Sequence, residues 1–187
     1  ILEWYGEIYH RAWKEANANS ENEEQQMEDD SRNDEDENHR SSRETIEHEI
    51  LQDLMYALIH MASPSSFQSI LTVLEPLHVD KKNKDVAEML FRLYSPIIWR
   101  SLVTANPLVR RNAVIVMEKV FPLHNPSAPS GQNSMKQAVL KGTQAFQKAL
   151  TDVDPSVRAA ASKATAAVCG IFWEALPTDE IRSLLNR

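Results

Sequence analysis

A chain of 187 residues with 42% hydrophobic side chains is long enough to bury a core without disulfides or metals, and its single cysteine, Cys169, excludes a disulfide framework or a cysteine zinc site within it. Formal net charge is −7, but Ser20 to Arg43 alone holds ten acids and three arginines, which leaves 17 acids against 17 lysines and arginines elsewhere, so the acidity describes one stretch rather than a surface. No run approaches the roughly 18 apolar residues of a membrane span, and with no signal-peptide pattern after Ile1 the chain reads as an excerpt from a soluble protein in a reducing compartment.

Residues 1–18 form the first expected helix, with Ile1, Tyr5, Ile8, Tyr9, Ala12, Trp13 and Ala16 at three- and four-residue steps. Trp4 and Trp13 are expected to pack against later elements. Residues 19–44 are expected to be a disordered acidic insertion, because Met27 is the only apolar side chain between Ser20 and Arg43 and ordering such a segment is not offset by burial. From Ile46 the helical period returns through Ile50, Leu51, Leu54, Met55, Leu58 and Met61, and Ser63-Pro64 stops it. Phe67, Ile70, Leu71, Leu74 and Leu77 mark a shorter helix, giving a unit over 45–80.

The next unit, 83–123, opens with Val86, Met89, Leu90, Leu93, Ile97, Ile98 and Leu102, with Pro96 expected to kink or divide the helix. After a turn-rich loop, a third unit over 134–176 starts with Met135, Ala138, Val139, Gly142, Phe146, Ala149, Leu150 and Val153. A further unit begins within 178–187.

One pentapeptide punctuates both later units. Asn106-Pro107-Leu108-Val109-Arg110 recurs 48 residues on as Asp154-Pro155-Ser156-Val157-Arg158. Asn or Asp suits the N-cap, and proline fits the first helical position, where its missing N–H costs nothing. At the same offset Leu102 matches Leu150 and Ala113 matches Ala161, so Leu102, Val109, Ala113, Leu150, Val157 and Ala161 are the expected repeat core. The fold class is therefore all-α, a HEAT-type helical repeat solenoid segment whose units bury their apolar faces by stacking. Arg110 and Arg158 either pair with acidic turn residues of the neighbouring repeat or face a ligand. With Arg111, Lys119 and Lys163 they are the candidate contacts to a partner or to DNA, although an ordinary solvated helix face is the favoured reading of these basic residues over DNA contact.

Trp13 in Tyr9-His10-Arg11-Ala12-Trp13, the run Leu93-Tyr94-Ser95-Pro96-Ile97-Ile98-Trp99-Arg100, the two Val-Arg turns and Phe172-Trp173-Glu174-Ala175-Leu176-Pro177 together resemble the HEAT-repeat G subunits of condensin II. The resemblance covers nearly the whole chain outside the acidic insertion and the loop after Pro122. It implies a non-catalytic scaffold subunit of the nucleus and chromosome, binding the kleisin and SMC ATPase of a condensin complex, with DNA or chromatin as a further partner and no membrane contact. Other HEAT adaptors, such as transport receptors or phosphatase scaffolds, share the Val-Arg turns.

Nothing in the pattern calls for catalysis. Gly131 and Gly142 are isolated, His48-Glu49 has Gln52 where a zinc-protease helix needs histidine, and the six histidines lack ligand spacing. His60 is expected to be partly buried, Cys169 to be a small buried hydrophobe, and no cofactor is expected.

Overall fold

The computed structural model describes residues 2–24, 45–128, 132–176, 178–179 and 182. Among these there are seven α-helices and no strand: α1 (Leu2–Glu24), α2 (Gln52–His60), α3 (Pro64–Val79), α4 (Lys84–Ser101), α5 (Pro107–Val120), α6 (Gln132–Leu150) and α7 (Pro155–Phe172). A π-helical stretch, Thr45–Leu51, runs directly into α2, and a 3-10 turn, Trp173–Ala175, follows α7. Most of the acidic stretch, from residue 25 to 44, lies outside the described residues, as do Gly131, Leu184 and Leu185. No helix among the described residues is long and apolar enough to cross a membrane.

Four helices start on the same local chemistry. Ser63, Asn83, Asn106 and Asp154 each hold extended backbone while a side-chain oxygen accepts a hydrogen bond from a backbone N–H of the first turn. At three of these starts proline follows the cap, so the dipeptide Ser63-Pro64 is a helix start of the same kind as the repeated pentapeptide.

The helices stack in sequence. α1 lies along α3, α4 pairs with α5, α6 with α7, and α5 runs beside α7, while α2 packs against both α4 and α5. One continuous apolar core results, reaching from Trp13 through Leu58, Leu74, Leu90, Val116 and Phe146 to Leu176. Val109, Ala113, Val157 and Ala161 are buried between the stacked pairs, whereas Leu102 and Leu150, at the ends of their helices, are only half-buried.

Buried polar side chains close helix ends that the core would otherwise leave unsatisfied. Asn112 donates from Nδ2 to the carbonyls of Ile59 at 3.2 Å and Met61 at 2.9 Å, sealing the C-terminus of α2. Lys81 does the same for α5, its Nζ donating to the carbonyls of Lys119 at 2.7 Å and Phe121 at 2.9 Å. Burial, helped by the nearby Lys119 charge, lowers the Lys81 pKa. Burial, with Lys81 and Lys119 adding to it, also pulls His78 down to about 3, so this histidine stays neutral at physiological pH, hydrogen-bonded through Nε2 to the Tyr94 hydroxyl at 2.9 Å.

Several expectations need correction. α1 runs on to Glu24, beyond the expected end at 18, since glutamate is a good helix former. Trp4 is 58% exposed, since the buried face of α1 passes through Gly6, Trp13 and Ala16 instead. Of the two outcomes expected at Pro96, division does not occur, α4 being continuous from Lys84 to Ser101: the proline is exposed, and burial of Leu93, Tyr94 and Ile98 around it outweighs the missing N–H. His60 is exposed, its ring stacked on Tyr56 with centroids 4.0 Å apart. Cys169 is half-buried at the edge of the core rather than fully enclosed.

Candidate interaction surface

The repeated turn places its arginine by local geometry. Nη1 of Arg110 donates to the carbonyls of Thr104 and Ala105, both at 2.8 Å, and Nη1 of Arg158 donates to those of Asp152 at 2.8 Å and Val153 at 3.0 Å. Each arginine thus folds back over the turn preceding its own helix and satisfies carbonyls there. In the first copy the guanidinium also forks onto the next unit, with Nε 2.7 Å from Asp152 Oδ2 and Nη2 2.8 Å from Oδ1. This two-pronged pair crosses 42 residues and ties the α4–α5 turn to the α6–α7 turn. Arg158 has no such acid within 4 Å among the described residues.

The Arg110 hydrogen bond holds the Asp152 carboxyl below the usual carboxylate range; partial burial opposes the shift without cancelling it. Its folded pKa is lowered, so the stabilisation is present above the unfolded value near about 3.9 and is lost as pH falls through the folded value. Asp152→Asn is therefore expected to cost about 1 kcal/mol at neutral pH, solvent screening included, and nothing once the wild-type carboxyl is protonated. Urea unfolding of both proteins at a series of pH values from 7 downward checks this: a difference that does not shrink as the pH falls below the unfolded carboxylate value would assign the effect to packing.

The remaining basic candidates do not converge. Arg111 is half-buried on α5 beside Arg110, while Lys119 lies about 14 Å further along that helix by its rise per residue, near Glu118 and Lys81. Lys163 is exposed on α7. Arg110 and Arg158 meet around Asp152, and the other three stand apart.

A feature not read from the sequence lies along α4 and α6. Lys141 Nζ sits 3.8 Å above the ring centroid of Trp99, a cation–π contact between the two helices. The Trp99 indole N–H is satisfied within its own helix by Ser95 Oγ at 3.2 Å. Trp99 lines two open grooves. One, of about 600 Å³, is formed by Phe91, Arg92, Ser95, Pro96 and Arg100 with Glu88 and Asn125. The other, of about 510 Å³, runs past Leu102, Val103, Ala145, Lys148 and the Arg110–Asp152 pair to Val153. Val103 and Val153 are 65% and 89% exposed at the two turns; the α6 helix stops at Leu150, which puts Val153 outside the core face where periodicity placed it. Trp99 stood in the sequence as a conspicuous residue, but no local signal pairs it with Lys141 42 positions away.

No group of histidine, cysteine, aspartate and glutamate among the described residues is placed to hold a metal ion. Burial raises the Cys169 thiol pKa, which disfavours the thiolate.

Stacked helical pairs with open, partly apolar grooves and ion-paired turns define a helical-repeat segment. Residues 1–125 match the family described as condensin II non structural maintenance of chromosomes subunit. The chain is 33% identical over 185 residues to the condensin-2 complex subunit G2 of Danio rerio, covering 97% of this chain. It is 29% identical to those of Mus musculus and Homo sapiens, covering 97% and 100% of this chain. The chain belongs to the condensin II non-SMC subunit family. It spans about 14% of the length of each of these relatives. No solved structure matches it.

Proposed function

We propose that this segment is part of a non-catalytic scaffold subunit of condensin II, which assembles with the kleisin and SMC ATPase subunits and promotes mitotic chromosome condensation in the nucleus. The observation that carries the reading is the alignment of nearly the whole chain with proteins named condensin-2 complex subunit G2. The fold supports it. A continuous core runs through the stacked helices, and the open grooves suit another protein better than a small enclosed substrate. Affinity purification of the tagged full-length protein from mitotic cells is expected to recover SMC and kleisin subunits in stoichiometric amounts. Recovery of the protein without them overturns the reading.

Direct contact with DNA is the alternative for this segment, carried by the exposed Arg158 and Lys163 together with Arg111. It requires an affinity for duplex DNA that falls steeply with salt. The dispersal of the basic side chains along two helices favours a protein partner.

A further inference from the structure

We infer that the furrow centred on Trp99 is a docking surface for an extended acidic segment of a partner protein, one that carries at least one apolar anchor residue. The inference rests on the scaffold reading above and names the surface and the chemistry of what that surface takes.

The two grooves adjoin at Trp99, which lines both. Their lining residues on α4 run from Glu88 to Arg100, about 18 Å at the helical rise per residue, and continue into the turn at Leu102 and Val103, so together they offer room for about six residues of extended chain. Their floor is apolar, made by Phe91, Pro96, Trp99, Leu102 and Val103, and Val153 continues it at the far turn. Exposed valines on two successive turns, both lining the same groove, are unpartnered apolar surface where an anchor side chain would be dehydrated.

The rim fixes the sign of the occupant. Arg92, Arg100, Arg110 and Lys148 line the two grooves, and Lys141, which lines neither, lies over the Trp99 ring that both share. Of the acids along the same path, Asp152 is paired with Arg110, while Glu88, at the far end, accepts a hydrogen bond from the neutral Ser127 hydroxyl at 2.6 Å and keeps its charge, so the cations still outnumber the acids. Arg92 shares the buried Glu47, and Arg110 is committed to Asp152 and to carbonyls of its own turn. Arg100, Lys141 and Lys148 are the cations left without an acidic partner among the described residues, and they flank the tryptophan. A chain of carboxylates spaced around an apolar side chain complements this arrangement. A DNA duplex complements it less well, because its evenly spaced phosphates bring no apolar side chain to Phe91, Trp99 and the two exposed valines.

The test uses the intact protein and a fluorescein-labelled peptide of about ten residues, glutamates and serines around a central Ile-Phe pair, followed by fluorescence anisotropy. Arg100→Glu/Lys148→Glu reverses two exposed charges without touching the core, and is expected to weaken peptide binding by about tenfold or more. Lys141→Met, which removes the cation above Trp99 but keeps its aliphatic stem, is expected to weaken it severalfold. Lys163→Glu on the exposed face of α7 is expected to leave it unchanged. Unchanged binding by the Arg100/Lys148 variant, equal loss in the Lys163 variant, no binding of the acidic peptide to the wild type, or tighter binding of an oligonucleotide of matched charge would each overturn the proposal. The scaffold reading is judged separately by the purification described above: a wild-type protein that recovers SMC and kleisin subunits while the peptide does not bind sinks the furrow alone, and peptide binding without those subunits sinks the scaffold reading alone.

Discussion

Gly6→Ala is expected to destabilise the chain by about 2 to 3 kcal/mol, a loss large for a single methyl group. A Cβ at position 6 would lie 2.2 Å from the carbonyl oxygen of Val73 and 3.1 Å from Cδ of Pro76. Those atoms are the backbone and ring of α3, so α1 as a whole must move away from the helix along which it lies, and no side-chain rotation relieves the contact. Alanine is the better helix former by up to about 1 kcal/mol, which works in the opposite direction and is too small to win. Gly170 supplies the control. It is also helical, but a Cβ there meets nothing within 4 Å, so Gly170→Ala is expected to stabilise by about 0.5 to 1 kcal/mol. Urea unfolding followed by far-ultraviolet circular dichroism distinguishes the two; equal shifts in midpoint would remove the close approach of α1 and α3 as an energetic fact.

The contrast between these glycines shows where local reading ends. The pentapeptide was legible because its chemistry is complete within five residues: the cap, the proline and the arginine that folds over its own turn all act at short range. Val109, Ala113, Val116 and Val120 fall on one stripe of α5, so their burial follows from the 3.6-residue period. Asn112 lies on that stripe too. A polar residue among buried neighbours was a signal in plain sight, and it marks the capping of α2 from another helix.

Gly6 and the Trp99–Lys141 contact have no such signal. Each depends on how closely and at what rotation two helices are brought together, and that is set by the summed packing of the stack. The bidentate pair of Arg110 with Asp152 lies between: pairing with an acidic turn residue of the neighbouring repeat was one of two expected roles, but nothing in the pentapeptide marks which acid, and it stands two residues before the cap at Asp154. Val153 failed for a related reason. Periodicity carried the helix past Leu150, where the turn leading to the Asp154 cap ends it.

Removing the carboxylate of Glu47 is expected to have the second large effect, about 3 kcal/mol for Glu47→Ala. Glu47 sits in the π-helical stretch ahead of α2 and is almost fully buried, with Oε1 accepting from Trp13 Nε1 at 2.8 Å and Oε2 paired with Arg92. Through it α1 is fastened both to the helix that resumes 34 residues later and to α4. Alanine at 47 leaves the indole N–H of a tryptophan that is only 1% exposed without this acceptor, whereas Arg92, partly exposed, can turn to water. The cost should therefore fall on the Trp13 side. Glu47→Gln keeps an oxygen for the indole but turns a donor NH2 toward Arg92, which loses its acceptor and counter-charge and, being partly exposed, can turn to water, so about 1 kcal/mol is expected. Trp13→Phe keeps most of the buried ring but withdraws the donor from a buried carboxylate, and should cost about as much as Glu47→Ala. If the two groups act as one unit, the double variant Trp13→Phe/Glu47→Ala will be less destabilised than the sum of its parts by at least about 1 kcal/mol, measured from urea midpoints at unchanged slope. Strict additivity would mean that Trp13 holds α1 by apolar burial alone, and that the hydrogen bond across the acidic stretch contributes nothing to joining the two sides of the chain.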